Sequence, residues 1–387
     1  MKKKVLTVLI GMSFSVSAAS MENLSISGFG SVGVGKSDND VGYAGYTSDH
    51  IDTKQDTLAG IQFDFEVNDK AEFTAQLVAN GRYDFEPTVE VAYVSYDFDR
   101  FVARAGKMRT PLFMYSDYLD VGYALPAIRP SQEMYEHIII NSYTGGDLLI
   151  PFDIGDTHLQ LQPFIGVSQV EARDTPIGKV DLNNTFGLTA HWYIDDLTLR
   201  ASYVSTDCDY SYKSPAVVTS QEELVKKYAA DILKGQEGQF ISAGVQYDNG
   251  SVLTVLEGMT MKMTGRYPDV AAVSGLLGYR FGDFTPYFSV NWNKSTDDEE
   301  RAMPVNSEPG NIALFAGEKV RHNFEKMAFS VGSRWDLVQN IALKLDVTYV
   351  DYMDTSGGYS GNIGPKPTFE VQESDSFVYS LALDFVF

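Results

Sequence analysis

The sequence predicts an all-β chain closed into a 16-stranded antiparallel transmembrane β-barrel, and three observations predict it. Apolar and polar residues alternate with period two from Leu24 to Phe387, as strands with one apolar face require. Short and long connections between these runs alternate strictly along the chain. Composition agrees, because 23 Tyr, 23 Phe and 33 Gly in 387 residues favour strands and tight turns over helices.

Other classes are excluded at once. The balance of 30 Lys+Arg against 52 Asp+Glu, a formal charge of −22, argues against nucleic acid as a partner, since clustered cations are needed to displace counterions from phosphates. No run approaches the roughly 20 consecutive apolar residues of a spanning helix. The single cysteine, Cys208, excludes a disulfide framework and a multi-cysteine zinc site. At the start, Lys2, Lys3 and Lys4 precede an apolar stretch from Val5 to Val16 and the small residues Ser17, Ala18 and Ala19. This three-part pattern reads as a secretory signal peptide over 1–19, with the barrel over 20–387.

The strands follow in order. Ile61, Phe63, Phe65 and Val67 share one face against Gln62, Asp64 and Glu66; Phe73, Ala75 and Leu77 oppose Glu72, Thr74 and Gln76. Leu159, Leu161, Ile165 and Val167 oppose His158, Gln160 and Gln162, and Leu197, Leu199, Ala201 and Tyr203 oppose Thr198, Arg200 and Ser202. Phe284, Phe288, Val290 and Trp292 repeat the pattern, as do Ile341, Leu343, Leu345 and Val347 against Lys344, Asp346 and Thr348. Two runs, 88–98 and 251–263, have an ambiguous phase. Tight turns are expected near 68–70, 98–100, 150–155, 193–196, 249–250, 282–283 and 336–340, and Asn249-Gly250 is the dipeptide a type I′ turn prefers. Longer polar connections fall near 36–56, 81–87, 108–136, 169–182, 205–238, 263–269, 294–324 and 353–373.

A soluble sandwich has no reason to place every long loop at one end, whereas an outer-membrane barrel does. A barrel of this width cannot be filled by its own side chains. Its apolar face must therefore look out into lipid and its polar face must line water. Trp192, Trp292 and Trp335 share the outward phase near strand ends, where amphipathic rings settle at membrane interfaces. Unpaired edge groups are costly in a bilayer, so the first strand must pair with the last.

The last strand aligns Phe377, Tyr379, Leu381, Leu383, Phe385 and Phe387 on one face and ends on a terminal Phe. The third long connection carries Gly106-Lys107-Met108-Arg109-Thr110-Pro111, then Asp117-Tyr118-Leu119-Asp120-Val121-Gly122-Tyr123, Ile128-Arg129-Pro130 and Glu133-Met134-Tyr135. On these features the chain resembles the Gram-negative outer-membrane general porin superfamily with 16 strands, and this loop is similar to that of a branch common in marine gammaproteobacteria. The resemblance implies short periplasmic turns, long external loops and a third loop, about 108–136, folded inward as a constriction. It further implies location in the cell outer membrane among lipid and lipopolysaccharide, homotrimers, and Phe387 as an assembly signal for the barrel assembly machinery. The Pro-Glu-Phe-Gly-Gly motif of the best-known general porins is absent, so their solute preferences do not transfer.

Within the resemblance, Asp117, Asp120, Glu133 and Glu136 with Lys107, Arg109 and Arg129 are the constriction charges, faced by Arg104. Opposed charges in a narrow water-filled passage set a transverse field that filters ions; the alternative is that they pair to hold the loop. Arg200 and Asp346 are assigned to the lumen wall, and Arg280 and Arg334 to the periplasmic vestibule. The expected activity is passive diffusion of ions and small hydrophilic solutes. The alternatives are a selective channel for sugars, oligosaccharides or anions and, less so, a barrel enzyme. Phe113, Tyr115, Tyr118, Tyr123 and Tyr135 would serve a sugar track or pack the loop to the wall. No catalytic arrangement is found; Asn141-Ser142 after His137 is too weak. The five histidines lack metal-ligand spacing, and neither a metal nor a cofactor is expected. Asp38-Asn39-Asp40 lacks the glycine and distal Glu of an EF-hand and reads as a solvated loop. Ser220 and Glu223 form a capping box for a short helix in the fifth long loop.

Overall fold

The computed structural model describes residues 23–40, 42–135, 141–170, 177–212, 235–264, 268–296, 324–353 and 375–387. The expected leader, the fifth-loop helix, His137 and Glu136 lie outside them. The strands are β1 (Leu24–Ser37), β2 (Leu58–Asn68), β3 (Ala71–Asn80), β4 (Pro87–Asp97), β5 (Val102–Arg109), β6 (Ser142–Ile154), β7 (Thr157–Val170) and β8 (Ile177–Ile194), followed by β9 (Leu197–Tyr212), β10 (Gln236–Asp248), β11 (Val252–Met263), β12 (Val270–Tyr279), β13 (Phe284–Ser295), β14 (Glu325–Val338), β15 (Ile341–Asp351) and β16 (Ser376–Val386). All sixteen pair antiparallel in chain order, and β1 closes on β16. Gly28 and Phe387 complete the seam with reciprocal backbone bonds, each 2.9 Å. The seven connections after even-numbered strands are short and gather at one rim; the longer ones gather at the other, as expected.

The faces are inverted relative to a soluble protein. Val32, Phe65, Ile165, Ile241, Leu277, Val331 and Leu345 are exposed outward, while Thr74, Gln76, Gln162, Thr189, Asn291, Ser330 and Asp346 are buried inside. The six-residue outward row of β16, from Phe377 to Phe387, has the expected phase. Its last two rings lie across β1, where a Cβ on Gly28 would sit 2.2 Å from the Phe387 ring and one on Gly30 would sit 2.5 Å from that of Phe385. Glycine there lets the closing strand lay its aromatics flat over the seam.

The two ambiguous runs have separate causes. In β4 a bulge at Glu90 pairs Gln76 with Val91 and Leu77 with Val89, which switches the outward phase from Val89 to Val94 and Tyr96. In β11 the inner face is itself apolar, with Leu253, Val255, Met259 and Met261 buried, because the third loop packs on it. The turn after β10 also differs from expectation. Only Gly250 has positive φ, at 83°, and the Asn249 side chain accepts from the backbone N–H groups of Ser251 and Val252, forming a three-residue loop instead of a two-residue type I′ turn. Strands β8 and β9 extend beyond the expected connection bounds at 182 and 205 through polar residues, since a ladder outside the lipid needs no apolar face.

The lipid-facing role of β16 sets a depth-dependent expectation. Leu381→Arg, at mid-strand, lowers unfolding free energy in lipid vesicles by about 2–4 kcal/mol, whereas Arg at position 387, near the rim, costs about 0–1 kcal/mol. Urea unfolding followed by heat-shifted gel mobility measures both, and equal costs contradict the orientation.

Candidate functional site

The third loop leaves β5 at Thr110, and its described residues up to Tyr135 run through the inside of the barrel. Its entry and its short helix are apolar and strand-facing: Leu112 and Phe113 with Met134 join Met108, Phe240 and Met261 in one lumenal cluster. Hydroxyl groups fix the backbone beneath them. Thr189 and Ser202 donate to the Pro111 carbonyl at 2.7 and 2.9 Å, and Ser242 donates to that of Leu112 at 2.5 Å. The Met114 N–H donates to Glu257 at 2.8 Å. Glu257 is the one charged side chain on the buried inner face of β11.

Farther along, the loop crosses to the opposite wall. Lys344 on β15 is fully buried, donates to the carbonyls of Gly122 at 2.6 Å and Ala127 at 3.0 Å, and pairs with Asp384 on β16 at 2.8 Å. Ser31 on β1 donates to the same Asp384 carboxylate at 2.6 Å. Arg334 donates to the carbonyls of Tyr123 and Leu125 and lies 4.6 Å from the Tyr123 ring, so this residue, assigned from sequence to the vestibule, grips the loop. Arg280, near a short turn, forms a bidentate pair with Asp248.

The first long loop also folds inward. Tyr43 and Tyr46 pack on Ala328, Val350 and Val378, and together with Asp56 they latch the third loop. Arg129 binds Asp56 through two bonds, 3.2 and 2.5 Å, and Ser380 at 2.7 Å. Tyr46 donates to Asp56 at 2.7 Å, and Arg82 lies 3.4 Å from it. Burial alone would raise the Asp56 pKa, but the charge and hydrogen bonds of Arg129, with Arg82 and Tyr46, hold it below the ordinary value of 3.8. Glu133 lies fully buried in the short helix Gln132–Tyr135, 3.7 Å from Lys326 and accepting from Tyr43 at 3.0 Å.

Of the remaining charges, Asp117 and Asp120 pair across the gap between loop and wall, and the others bond within the wall. Arg200, 2% exposed, meets Asp117 at 3.2 Å, while Asp117 keeps 49% of its side chain exposed. Asp120 pairs with Arg109, which also touches Gln76 at 3.2 Å and Glu90 at 3.5 Å. Arg104 forms a bidentate bond with Asp147, directly opposite on β6, and Tyr143 and Gln162 donate to the same carboxylate. Lys107 donates to the Val89 carbonyl. Asp346 accepts from Tyr287 at 2.7 Å and Thr348 at 2.6 Å. The structure thus brings Asp117 and Glu133 together with the wall and Arg129 with the first long loop, whereas Asp120 meets Arg109, another of the expected constriction charges. Sequence reasoning missed Asp56, Asp147, Glu257, Lys326 and Asp384; a lone charge on an apolar inner face, as at Glu257, was the available signal.

The chain matches no protein-family model and no curated protein sequence. Its fold is similar to that of solved outer-membrane structures. OmpT, an outer membrane protein of Vibrio cholerae folded in vitro, has a TM-score of 0.58 at 10% identity, covering 96% of this chain and 100% of that one. Salmonella typhi OmpF in complex with daunomycin has a TM-score of 0.56 at 12% identity, covering 94% and 98%. An anion-selective porin from Comamonas acidovorans has a TM-score of 0.55 at 11% identity, covering 94% and 99%. The likeness is one of fold, the closed 16-stranded barrel of outer-membrane porins.

Asp56 and Arg129 generate a stability expectation. Asp56→Asn leaves a buried guanidinium without its carboxylate and costs about 3–5 kcal/mol, most of which the double variant Asp56→Asn/Arg129→Met recovers. The folded Asp56 pKa is depressed, so this pair's contribution is complete above the unfolded value near 3.8 and is lost as pH falls through the lower folded value. Denaturant unfolding of both variants across that acid range checks the sign.

Proposed function

We propose that the chain is an outer-membrane porin, a water-filled channel for passive diffusion of ions and small hydrophilic solutes, assembled as a homotrimer and without enzymatic activity. The observation that carries the reading is a closed barrel, apolar outside and polar inside, narrowed by a loop held within it. Similarity in fold to proteins described as porins supports it. Phe387, 49% exposed on the lipid face, is the proposed signal for assembly.

The proposed eyelet lies between the 117–120 span and the facing wall. Asp117 ties that span to Arg200 on β9 and Asp120 ties it to Arg109 on β5. Between these anchors, β5 to β8 carry Arg104, Asp147, Gln162 and His191 on the lumen face. Arg104 and Arg200 are each matched by one carboxylate and Arg109 by two, Asp120 and Glu90. Asp64 and Glu72 on β2 and β3 add negative charge, since they accept from Thr74 and, like Glu257 and Asp346, form no ion pair among the described residues. A passing ion sheds part of its water near low-dielectric walls, so these carboxylates favour cations. The loop aromatics act mainly as anchors: Phe113 stands edge-on to Phe240 at 5.3 Å, and Tyr115 stacks on Tyr135 at 6.3 Å. That arrangement favours general diffusion over a sugar track.

Reversal potentials in a salt gradient test the reading. Wild type prefers cations weakly; Asp64→Asn with Glu72→Gln reduces the preference, and Asp117→Asn, which frees Arg200, shifts it further toward anions. Anion preference in the wild type, or no response to either change, contradicts it.

A further inference from the structure

Behind the third loop, on the side away from the proposed eyelet, a cavity separates residues 126–131 from the inner wall of β11 to β15. Two carboxyl groups, Glu257 and Asp346, face it, and neither forms an ion pair among the described residues. Of two guanidinium groups, Arg129, which also lines the cavity, is paired with Asp56, and Arg200 is paired with Asp117. Between the carboxyl groups runs a row of hydroxyls and one amide: Ser274 bonds Asn291 at 2.7 Å, and Ser330 bonds Thr348 at 2.8 Å. Tyr115, 8% exposed, also lines the cavity, and its hydroxyl has no hydrogen-bond partner among the described residues.

A buried polar group without a partner is costly, and buried carboxylates call for a compensating cation. The hydroxyl row offers donors and acceptors in alternation, which suits a solute bearing hydroxyls of its own. Tyr43 and Tyr115 add aromatic surface, which attracts cations. The geometry points to this compartment as a binding site for a small ammonium ion carrying hydroxyl groups. It rests on the channel reading only for access, because the solute arrives through the lumen.

Protonated Tris and its neutral isostere pentaerythritol are suitable probes, titrated calorimetrically into the detergent-folded barrel in phosphate buffer. Tris binds, and pentaerythritol binds about tenfold more weakly or worse. Asp346→Asn weakens Tris binding about tenfold, and Tyr115→Phe, which removes only the unpartnered hydroxyl, weakens it severalfold. Heat-shifted gel mobility verifies that each variant is folded. Equal binding of both probes, no binding of Tris, or undiminished binding by both folded variants overturns the inference. Loss of binding in Asp117→Asn but not in Asp346→Asn also overturns it, by placing the ion in the eyelet. Open-channel current without Tris binding refutes this site alone, whereas a folded barrel that carries no current refutes the channel reading.

Discussion

The ammonium of Lys344 has no water to turn to, and the interior is organised around the partners it finds instead. It sits on β15, pairs with Asp384 on β16, and through that carboxylate is linked to Ser31 on β1, so one polar cluster spans both sides of the closing seam. The same ammonium holds the carbonyls of Gly122 and Ala127. Barrel closure and loop position therefore meet at one side chain. The approach is close enough that a Cβ on Gly122 would lie 2.4 Å from the Ser31 hydroxyl, which leaves glycine as the residue that fits.

Such anchors answer a geometric problem. Sixteen strands enclose more space than inward side chains can fill, and a loose loop in that space would lose conformational entropy with little in return. The apolar contacts of Phe113 at the entry and Met134 in the short helix supply burial against β5 to β12. The ion pairs at Lys344, Lys326 and Arg129 supply register instead, because each buried charge accepts few alternative partners. Buried pairs contribute little net stability over apolar contacts of equal volume, yet removing one partner is costly. The loop is thus held in one path across a lumen that remains polar along the facing wall.

Much of this architecture was legible in the sequence. Strand count, connection pattern, outward phase and seam followed from alternation, because lipid on one side and water on the other impose the same rule on every strand. Legibility failed where that rule is locally suspended. The bulge at Glu90 shifts the phase of β4, and Met259 and Met261 make the inner face of β11 apolar because it supports the loop. The charged loop residues were found, as were Arg200 and Arg109, which meet Asp117 and Asp120, but the other partners were not. Asp56, Asp147 and Asp384 are distant in sequence from Arg129, Arg104 and Lys344, and strand pairing alone brings only Arg104 and Asp147 face to face. Glu133 shows the same limit: a carboxylate expected in the passage is instead buried beneath the loop against Lys326.

The central claim is that the third loop is a fixed part of the barrel interior, secured at Lys344. Amide hydrogen exchange over residues 112–127, compared between the wild type and Lys344→Met in the same detergent, tests it most directly. The account predicts slow exchange at Phe113 and Met114 in both proteins, because their N–H groups bond Ser116 and Glu257. Around Gly122 to Leu125, it predicts protection in the wild type and faster exchange in the variant, with strand amides unchanged. Exchange across 112–127 in the wild type at the rate of an unstructured peptide, or no difference between the two proteins near Gly122, would contradict it.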